Sequence, residues 1–313
     1  MTAPHDGSGR SPFAITTIVP QPPPITIVDV GAMDIGPAAV WQPLLDAGLA
    51  TVIGFEPVAA ECARLNAAQR AGQRYLPYAL GDGRQRTLHV TRFSACSSLY
   101  EPNPAFIELF DDLAPAFDVL ESIPVQTRRL DDIEEIAASG CDYLKLDIQG
   151  AEFDTLRHAA RVLTGTLVVE SEVLLAPLYR DAPGFAEIDG VLAANGFVFH
   201  QWRGSGGRTL KPLHDPRGLP EFLSQTLWAD LLYVKNFCEP DAQPPENWLK
   251  LAVIAHTIYG AADLAHLALC HADTLTGTWF AADYRDACAE PAAVPPAPQP
   301  STPGLLSRLL RRR

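Results

Sequence analysis

ITIVDVGAMDIG (25–36) is the stretch on which the reading of this chain turns. ITIVDV is a short β-branched run, the signature of a buried strand. The residues after it, GAMDIGPAAV (31–40), carry glycines and Pro37 of the kind that open a turn and start a helix. A glycine just beyond a strand lets a ligand approach the backbone, and the next helix turns its positive end toward the same place. Asp29, two residues before Gly31, cannot help hold a pyrophosphate, because like charges repel. It suits a cationic group, such as the amine and sulfonium of S-adenosylmethionine. The next strand, TVIGFEP (51–57), closes on Glu56, 27 positions after Asp29. In a doubly wound sheet an acid at that place accepts hydrogen bonds from both hydroxyls of a ribose.

Working outward, strand and helix signals alternate. AAECARLNAAQRAG (59–72) has helical spacing. RYLPYAL (74–80) and RTLHVTR (86–92) read as strands flanking a Gly-Asp-Gly turn, whose Asp82 either meets an adenine amine or bonds its own backbone. Residues 93–124 read as loop with a short helix, PVQTRRL (124–130) as an edge strand and DDIEEIAASG (131–140) as a helix with acids in its first turn. CDYLKLDIQG (141–150) is a buried strand, AEFDTLRHAARVL (151–163) its following helix, TLVVESEVL (166–174) a strand and GFAEIDGVLAANG (184–196) a helix. FVFHQWR (197–203) and WADLLYVKN (228–236) are strands with no helix between them, so they form an antiparallel hairpin at one edge. The pattern predicts an α/β fold, a parallel sheet covered on both faces.

Five segments follow. Residues 1–24, ending in QPPP, read as a mobile Pro-rich leader, 25–238 as the α/β domain and 239–289 as an Ala-rich helical extension. Residues 290–304 are a Pro/Ala linker, and 305–313 (LLSRLLRRR) a short basic amphipathic tail. Apolar residues from Trp248 to Leu269 are too many to leave exposed, so the extension is expected to pack on the domain or on a second subunit. The tail is expected to be a frayed, soluble end, with weak contact to an anionic membrane surface or a partner as the alternative.

Composition bounds the function. At 47% hydrophobic and 19% charged the chain buries a sizeable core. A formal charge of −13 argues against a nucleic-acid partner. Six scattered cysteines form no Cys-x-x-Cys pair, so reduced thiols in a cytoplasm are the simplest expectation. No transmembrane segment or secretory signal is read.

The second chemical constellation is KLDIQGAE (145–152). Alternation puts Lys145, Asp147 and Gln149 on one side of the strand, with Glu152 in the first turn of the next helix. Ligands in open α/β sheets bind outside these strand ends, which makes Asp147 and Glu152 the candidate catalytic acids. A structural Lys145–Asp147 pair is the alternative. Glu170 and Glu172 share a face of the neighbouring strand and would extend a carboxylate cluster. Such a cluster can hold a divalent cation, but orientation of polar substrate groups is preferred and no residue is assigned to a metal. His200 is a secondary candidate base, though a single His on an apolar strand usually packs in a core.

Taken together, DVGA (29–32), GFEP (54–57), ALGD (79–82), SSL (97–99), RRLDDI (128–133), KLDIQGAE (145–152) and VVESE (168–172) resemble the FkbM-type methyltransferases, over about residues 25–236. The resemblance implies a Rossmann-like seven-stranded sheet of order 3-2-1-4-5-7-6 with strand seven antiparallel, S-adenosylmethionine as cofactor, and O-methylation of a hydroxyl on a sugar, glycan or natural product. It implies cofactor contacts at Asp29, Gly31, Ala32, Gly36, Glu56 and Asp82. Two departures stand out. The family's DVGANxG reads DVGAMDIG here, displacing the second glycine to Gly36, and its DVEG reads DIQG, with Gln149 unable to act as a base. Two other classes compete. A nicotinamide-dependent oxidoreductase would normally show Gly-x-Gly-x-x-Gly, which this loop lacks. A non-catalytic module on the same fold would have no need of Asp29, Glu56, Asp147 and Glu152 together.

Overall fold

The structure is a computed structural model, and it describes residues 13–32, 39–213 and 224–289. Strands β1 (Ile25–Val30), β2 (Ala50–Phe55) and β3 (Gln73–Leu76) come first, followed by β4 (Ala79–Leu80), β5 (Gln85–Thr91) and β6 (Val119–Arg128). Then come β7 (Tyr143–Leu146), β8 (Val168–Leu174), β9 (Phe197–Gly207) and β10 (Thr226–Lys235). The helices between them are α1 (Gln42–Asp46), α2 (Ala59–Ala68), α3 (Pro104–Ile107), α4 (Glu134–Ser139), α5 (Glu152–Arg157), α6 (Ala160–Gly165) and α7 (Phe185–Ala194). Three more close the described chain: α8 (Pro245–Thr257), α9 (Ala262–Thr276) and α10 (Phe280–Ala289).

Seven strands form one sheet in the order β3-β2-β1-β7-β8-β10-β9, parallel except that β10 runs against β8 and β9. The count along the chain differs from a bare seven-strand fold, because β4, β5 and β6 are interposed and make a second sheet of order β4-β6-β5. The single strand expected over 74–80 divides between the two sheets. Pro77 lies at the division, and its lack of an N–H leaves it no ladder bond to donate. The expected helix over 151–163 is likewise two, α5 and α6, parted at His158–Ala159.

Alternation along each strand sorts the core into two layers. Val28 and Val30 of β1, Leu144 and Leu146 of β7 and Val169 of β8 pack with Ile136 of α4, Leu156 of α5, Leu163 of α6 and Leu192 of α7. On the opposite face, Ile25 and Ile27, Tyr143 and Val168 pack with Leu44 of α1, Trp248, Leu251 and Ile254 of α8 and Leu269 of α9. The Ala-rich extension is thus one of the two covers of the sheet.

The leader is corrected in part. From Phe13 onward it belongs to this second cover. Ile15 and Val19 are buried, and the Phe13 ring lies 4.9 Å from that of His256 and 5.4 Å from that of Tyr284. The His256 Nε2 meets the Phe13 carbonyl at 3.0 Å. Residues 1–12, the linker and the tail lie outside the described residues. Among those described, no helix is long and apolar enough to cross a membrane.

Candidate active site

The alternation that buries Ile25 and Ile27 under the extension puts Asp29 on the same side, one rung further on. There the covering helices end and a cavity of about 1100 Å³ begins. Its walls include Asp29, Gly31, Ala32, Trp41, Glu56, Tyr78, Phe93, Ser98, Lys145, Asp147 and Gln149. It lies at the carboxyl ends of β1, β2 and β7, where open α/β sheets take their ligands.

Asp29 is buried, and its Oδ2 accepts a 2.8 Å bond from Trp41 Nε1. Its Oδ1 is shielded from water and meets no hydrogen-bond donor among the described residues, with Lys145 Nζ 3.9 Å away. Burial pushes its pKa up, against the opposing pull of Lys145 and Trp41. A buried carboxylate oxygen without a partner is costly unless something donates to it. Next to it, Gly31 takes φ +87°, and a Cβ there would stand 2.0 Å from the Asp147 carbonyl oxygen. The two strand ends are therefore joined backbone to backbone, with Asp147 N donating to Val30 O at 3.0 Å, and only glycine fits.

Glu56 is also buried, and burial raises its pKa. One carboxylate oxygen, Oε1, accepts the Val58 N–H at 2.7 Å. These features fit a nucleoside that carries a positive charge: a buried acid at the end of β1 with one oxygen lacking a hydrogen-bond donor, and a second acid at the end of the next strand, both on the wall of one cavity. Ala32 lines the same wall, while Gly36 lies outside the described residues.

Two sequence candidates have other employment. Asp82 does not line the cavity. Its Oδ1 accepts the Arg84 N–H at 3.0 Å and lies 3.3 Å from the Thr127 hydroxyl, and Arg86 approaches Oδ2 at 3.4 Å. It is the closing acid of its own turn. Glu152 is fully enclosed, and its two oxygens accept the N–H groups of Ile148 at 2.7 Å and Gly150 at 2.8 Å. Burial pushes its pKa up to about 7 against those bonds. It braces the 148–150 loop from behind and does not face the cavity.

Asp147 does face it. Its Oδ2 is 3.4 Å from Lys145 Nζ, so the alternative of a Lys–Asp pair is present at the cavity wall, and its Oδ1 accepts Gln149 Nε2 at 2.9 Å. Burial works against a charge on Lys145, yet Asp29, Asp147 and Glu170 together outweigh it and raise its pKa. Glu170 and Glu172 divide the roles expected of them. Glu170 Oε2 is taken by the hydroxyls of Tyr143 at 3.2 Å and Tyr259 at 2.6 Å. Glu172 joins Asp147 through Gln149, whose Nε2 reaches Glu172 Oε1 at 2.8 Å. Among the described residues no group of three or more His, Cys, Asp or Glu is arranged to hold a metal. His200 stands against Phe237 and faces Asp263 of α9, away from the cavity.

Trp41, Tyr179 and Tyr259 join the site without any signal in their own stretches of sequence. Trp41 caps Asp29 from 12 positions away, and Tyr259 reaches Tyr143 across 116. Of the 93–124 segment, Phe93 through Leu99 supplies the cavity wall beside Asp147 and Gln149.

Among solved structures the chain is similar to precorrin-6y C5,15-methyltransferase from Geobacter metallireducens (11% identity, 71% of this chain and 86% of that one, TM-score 0.33). It is also similar to a TehB-like SAM-dependent methyltransferase from Corynebacterium glutamicum (10%, 72% and 88%, 0.31). A third is a single-residue mutant of the 16S rRNA (adenine(1408)-N(1))-methyltransferase from Catenulisporales acidiphilia (13%, 72% and 94%, 0.32). At such scores none of these carries an argument. The search of curated proteins gives no match. The methyltransferase FkbM domain matches residues 29–199, more than half of the chain and the whole span from Asp29 through β7 and β8, and the chain therefore belongs to the FkbM methyltransferase family.

Proposed function

We propose that this protein transfers a methyl group from S-adenosylmethionine to a hydroxyl of a sugar, glycan or natural product. The observation that carries the proposal is Asp29, a buried acid with one oxygen without a hydrogen-bond donor among the described residues, in one cavity with Glu56 and Asp147. S-adenosylmethionine, when bound, supplies an electrophilic methyl on a sulfonium, so the protein's part is binding, orientation and proton removal. Glu56 would accept the ribose hydroxyls and Asp29 would take the cationic end. Gly31, by admitting the Asp147 carbonyl, holds the ends of β1 and β7 together beside them. Asp147, at the end of the adjacent strand, would accept the proton of the attacking hydroxyl, since a protonated alcohol is a poor nucleophile. The Phe93–Leu99 segment would form the acceptor's side of the cavity and exclude water.

Calorimetry decides first between donor classes. The expected result is saturable binding of S-adenosylmethionine and none of NAD; the reverse would make the protein an oxidoreductase, and neither would sink the enzyme reading. Glu56→Ala is expected to weaken S-adenosylmethionine binding by about 1–3 kcal/mol through lost charge-assisted bonds. Asp147→Asn is expected to lower turnover far more than donor affinity, measured with labelled cofactor over a panel of hydroxyl acceptors. Collapse of affinity with normal turnover at saturation would exchange the roles.

A further inference from the structure

Gln149 stands where the family's DVEG carries a glutamate, and the structure shows an amide used to capacity. Its backbone takes φ +55°, a left-handed conformation that a residue with a Cβ adopts only when its surroundings hold it there. Three bonds do so. Glu152 accepts the N–H groups on either side of it, and the Ser98 hydroxyl donates to its carbonyl oxygen at 2.6 Å. This conformation brings the side chain back over the end of β7. Nε2 then donates to Asp147 Oδ1 at 2.9 Å and to Glu172 Oε1 at 2.8 Å, while Oε1 lies 3.3 Å from the Tyr179 hydroxyl. Tyr179 is itself anchored on the Cys96 carbonyl at 2.9 Å.

An amide nitrogen has two hydrogens, and here two carboxyl groups take them. In this orientation the amide gives one hydrogen to each carboxyl and turns its oxygen to the Tyr179 hydroxyl. A glutamate at this position would bring a third carboxyl group against two. We propose that Gln149 is a positioning residue: its amide fixes the Asp147 carboxylate at the cavity wall and ties it to Glu172 on β8 and to the Ser98 loop. The assignment of Asp147 as proton acceptor rests on the function proposed above, but the anchoring itself does not. The charged and titratable groups around Gln149 are Lys145 from β7 and Asp147 just after it, Asp29 from β1, Glu172 from β8, Asp230 from β10, Glu152 from α5, and Tyr179 and Cys96 from the connections between elements. Acids predominate, so a negative side chain at 149 is disfavoured as pH rises.

The test uses the full chain labelled with nitrogen-15 at glutamine side chains. The NH2 signal that disappears in Gln149→Glu belongs to Gln149. Its hydrogen exchange is expected to be at least tenfold slower than that of exposed glutamines, and Asp147→Asn is expected to shift it. Gln149→Glu is expected to lose more melting temperature at pH 8 than at pH 6 relative to the unsubstituted protein. Gln149→Met, uncharged and unable to donate, is expected to show a smaller difference between the two pH values than Gln149→Glu, since it removes two bonds to the carboxyls but adds no charge. A Gln149 amide that exchanges freely and is blind to Asp147→Asn overturns the proposal, as does a pH-independent loss in Gln149→Glu. With a hydroxyl acceptor in hand, Gln149→Met lowers kcat tenfold or more at unchanged KM for S-adenosylmethionine, and a change in that KM alone contradicts positioning. If the unsubstituted protein binds no S-adenosylmethionine, the methyl-transfer reading fails while the amide and pH readouts still decide on Gln149.

Discussion

Gly31 and Lys145 show how closely this site is built at the scale of single residues. A methyl group added at Gly31 meets the Asp147 carbonyl oxygen at 2.0 Å while the backbone stays at φ +87°. Gly31→Ala therefore has to break the junction of β1 with the end of β7. The left-handed backbone alone costs about 1–2 kcal/mol, and the clash adds to it. Urea unfolding is expected to show at least that loss, and calorimetry weakened S-adenosylmethionine binding; an unchanged midpoint would deny the close approach. Lys145 lies between Asp29 and Asp147, at 3.9 and 3.4 Å, as the cation both acids share. Lys145→Met keeps the apolar stem and removes the charge, leaving two carboxylates in a confined place. Removing one partner of a buried ion pair costs roughly 3–5 kcal/mol. Part of Asp147 is exposed, so the lower end of that range is expected in the same unfolding assay.

At the scale of elements, the helical extension is bound to the sheet by polar contacts as well as by its apolar face. Lys250 of α8 lies 2.8 and 3.0 Å from the two oxygens of Asp142, which also accepts the Thr26 N–H at 2.8 Å just inside β1. The turn between α8 and α9 brings Tyr259 onto Glu170, so this cover reaches the row of charges that begins at Asp29. Lys250→Met is expected to cost about 3 kcal/mol of stability, because both partners are largely buried and Asp142 is left charged. The measurement is denaturant unfolding, with a loss below half that figure counting against an integral extension. Element by element, the strands that lead to Asp29, Glu56 and Asp147 and the helices after the last two were legible in the sequence, because β-branched runs, glycine turns and helix starts are local signals, whereas the short α1 (Gln42–Asp46) was not. The division of the third strand at Pro77 was less so. Its proline was visible, but the second sheet that receives Ala79–Leu80 is built with β6, whose paired residue Thr127 lies 48 positions after Ala79.

For the whole molecule, the buried acids set a direction of pH dependence. Burial raises Glu152 to about 7 and Asp230 to about 6, and raises Asp29, Glu56 and Glu172 as well. In the unfolded chain the same acids lose their protons near 4–4.5. Between those values the native state binds more protons than the unfolded one, so stability falls as pH rises through that window. His256 has the opposite sign. Burial lowers its pKa, so its share of stability is present above about 6.5 and is lost as pH falls. With His200, which burial shifts the same way, two histidines stand against five acids in a chain of formal charge −13, and the acids are expected to prevail. The melting temperature of the ligand-free protein should decline between pH 5 and 7.5 at constant ionic strength, and Glu152→Gln should flatten part of that slope. A melting temperature that climbs over the range would contradict the burial of these groups.

The order of strands and helices, the acids at the ends of β1, β2 and β7, and the glycine between them were determined by the sequence alone, since each depends on the nature and spacing of near neighbours. Tertiary structure decided what each acid does. Asp82 and Glu152 sit in motifs as suggestive as those of Glu56 and Asp147, yet both are consumed by backbone N–H groups and a neighbouring hydroxyl, which no local pattern announces. It also decided that Phe13–Val19 closes over α8 and α10 and that Trp41, Tyr179 and Tyr259 arrive at the charged row from distant parts of the chain. The physical reason is common to all of these. A side chain's local conformation follows from its neighbours in sequence, but its hydrogen-bond partners and its share of water follow from whatever else the fold packs against it.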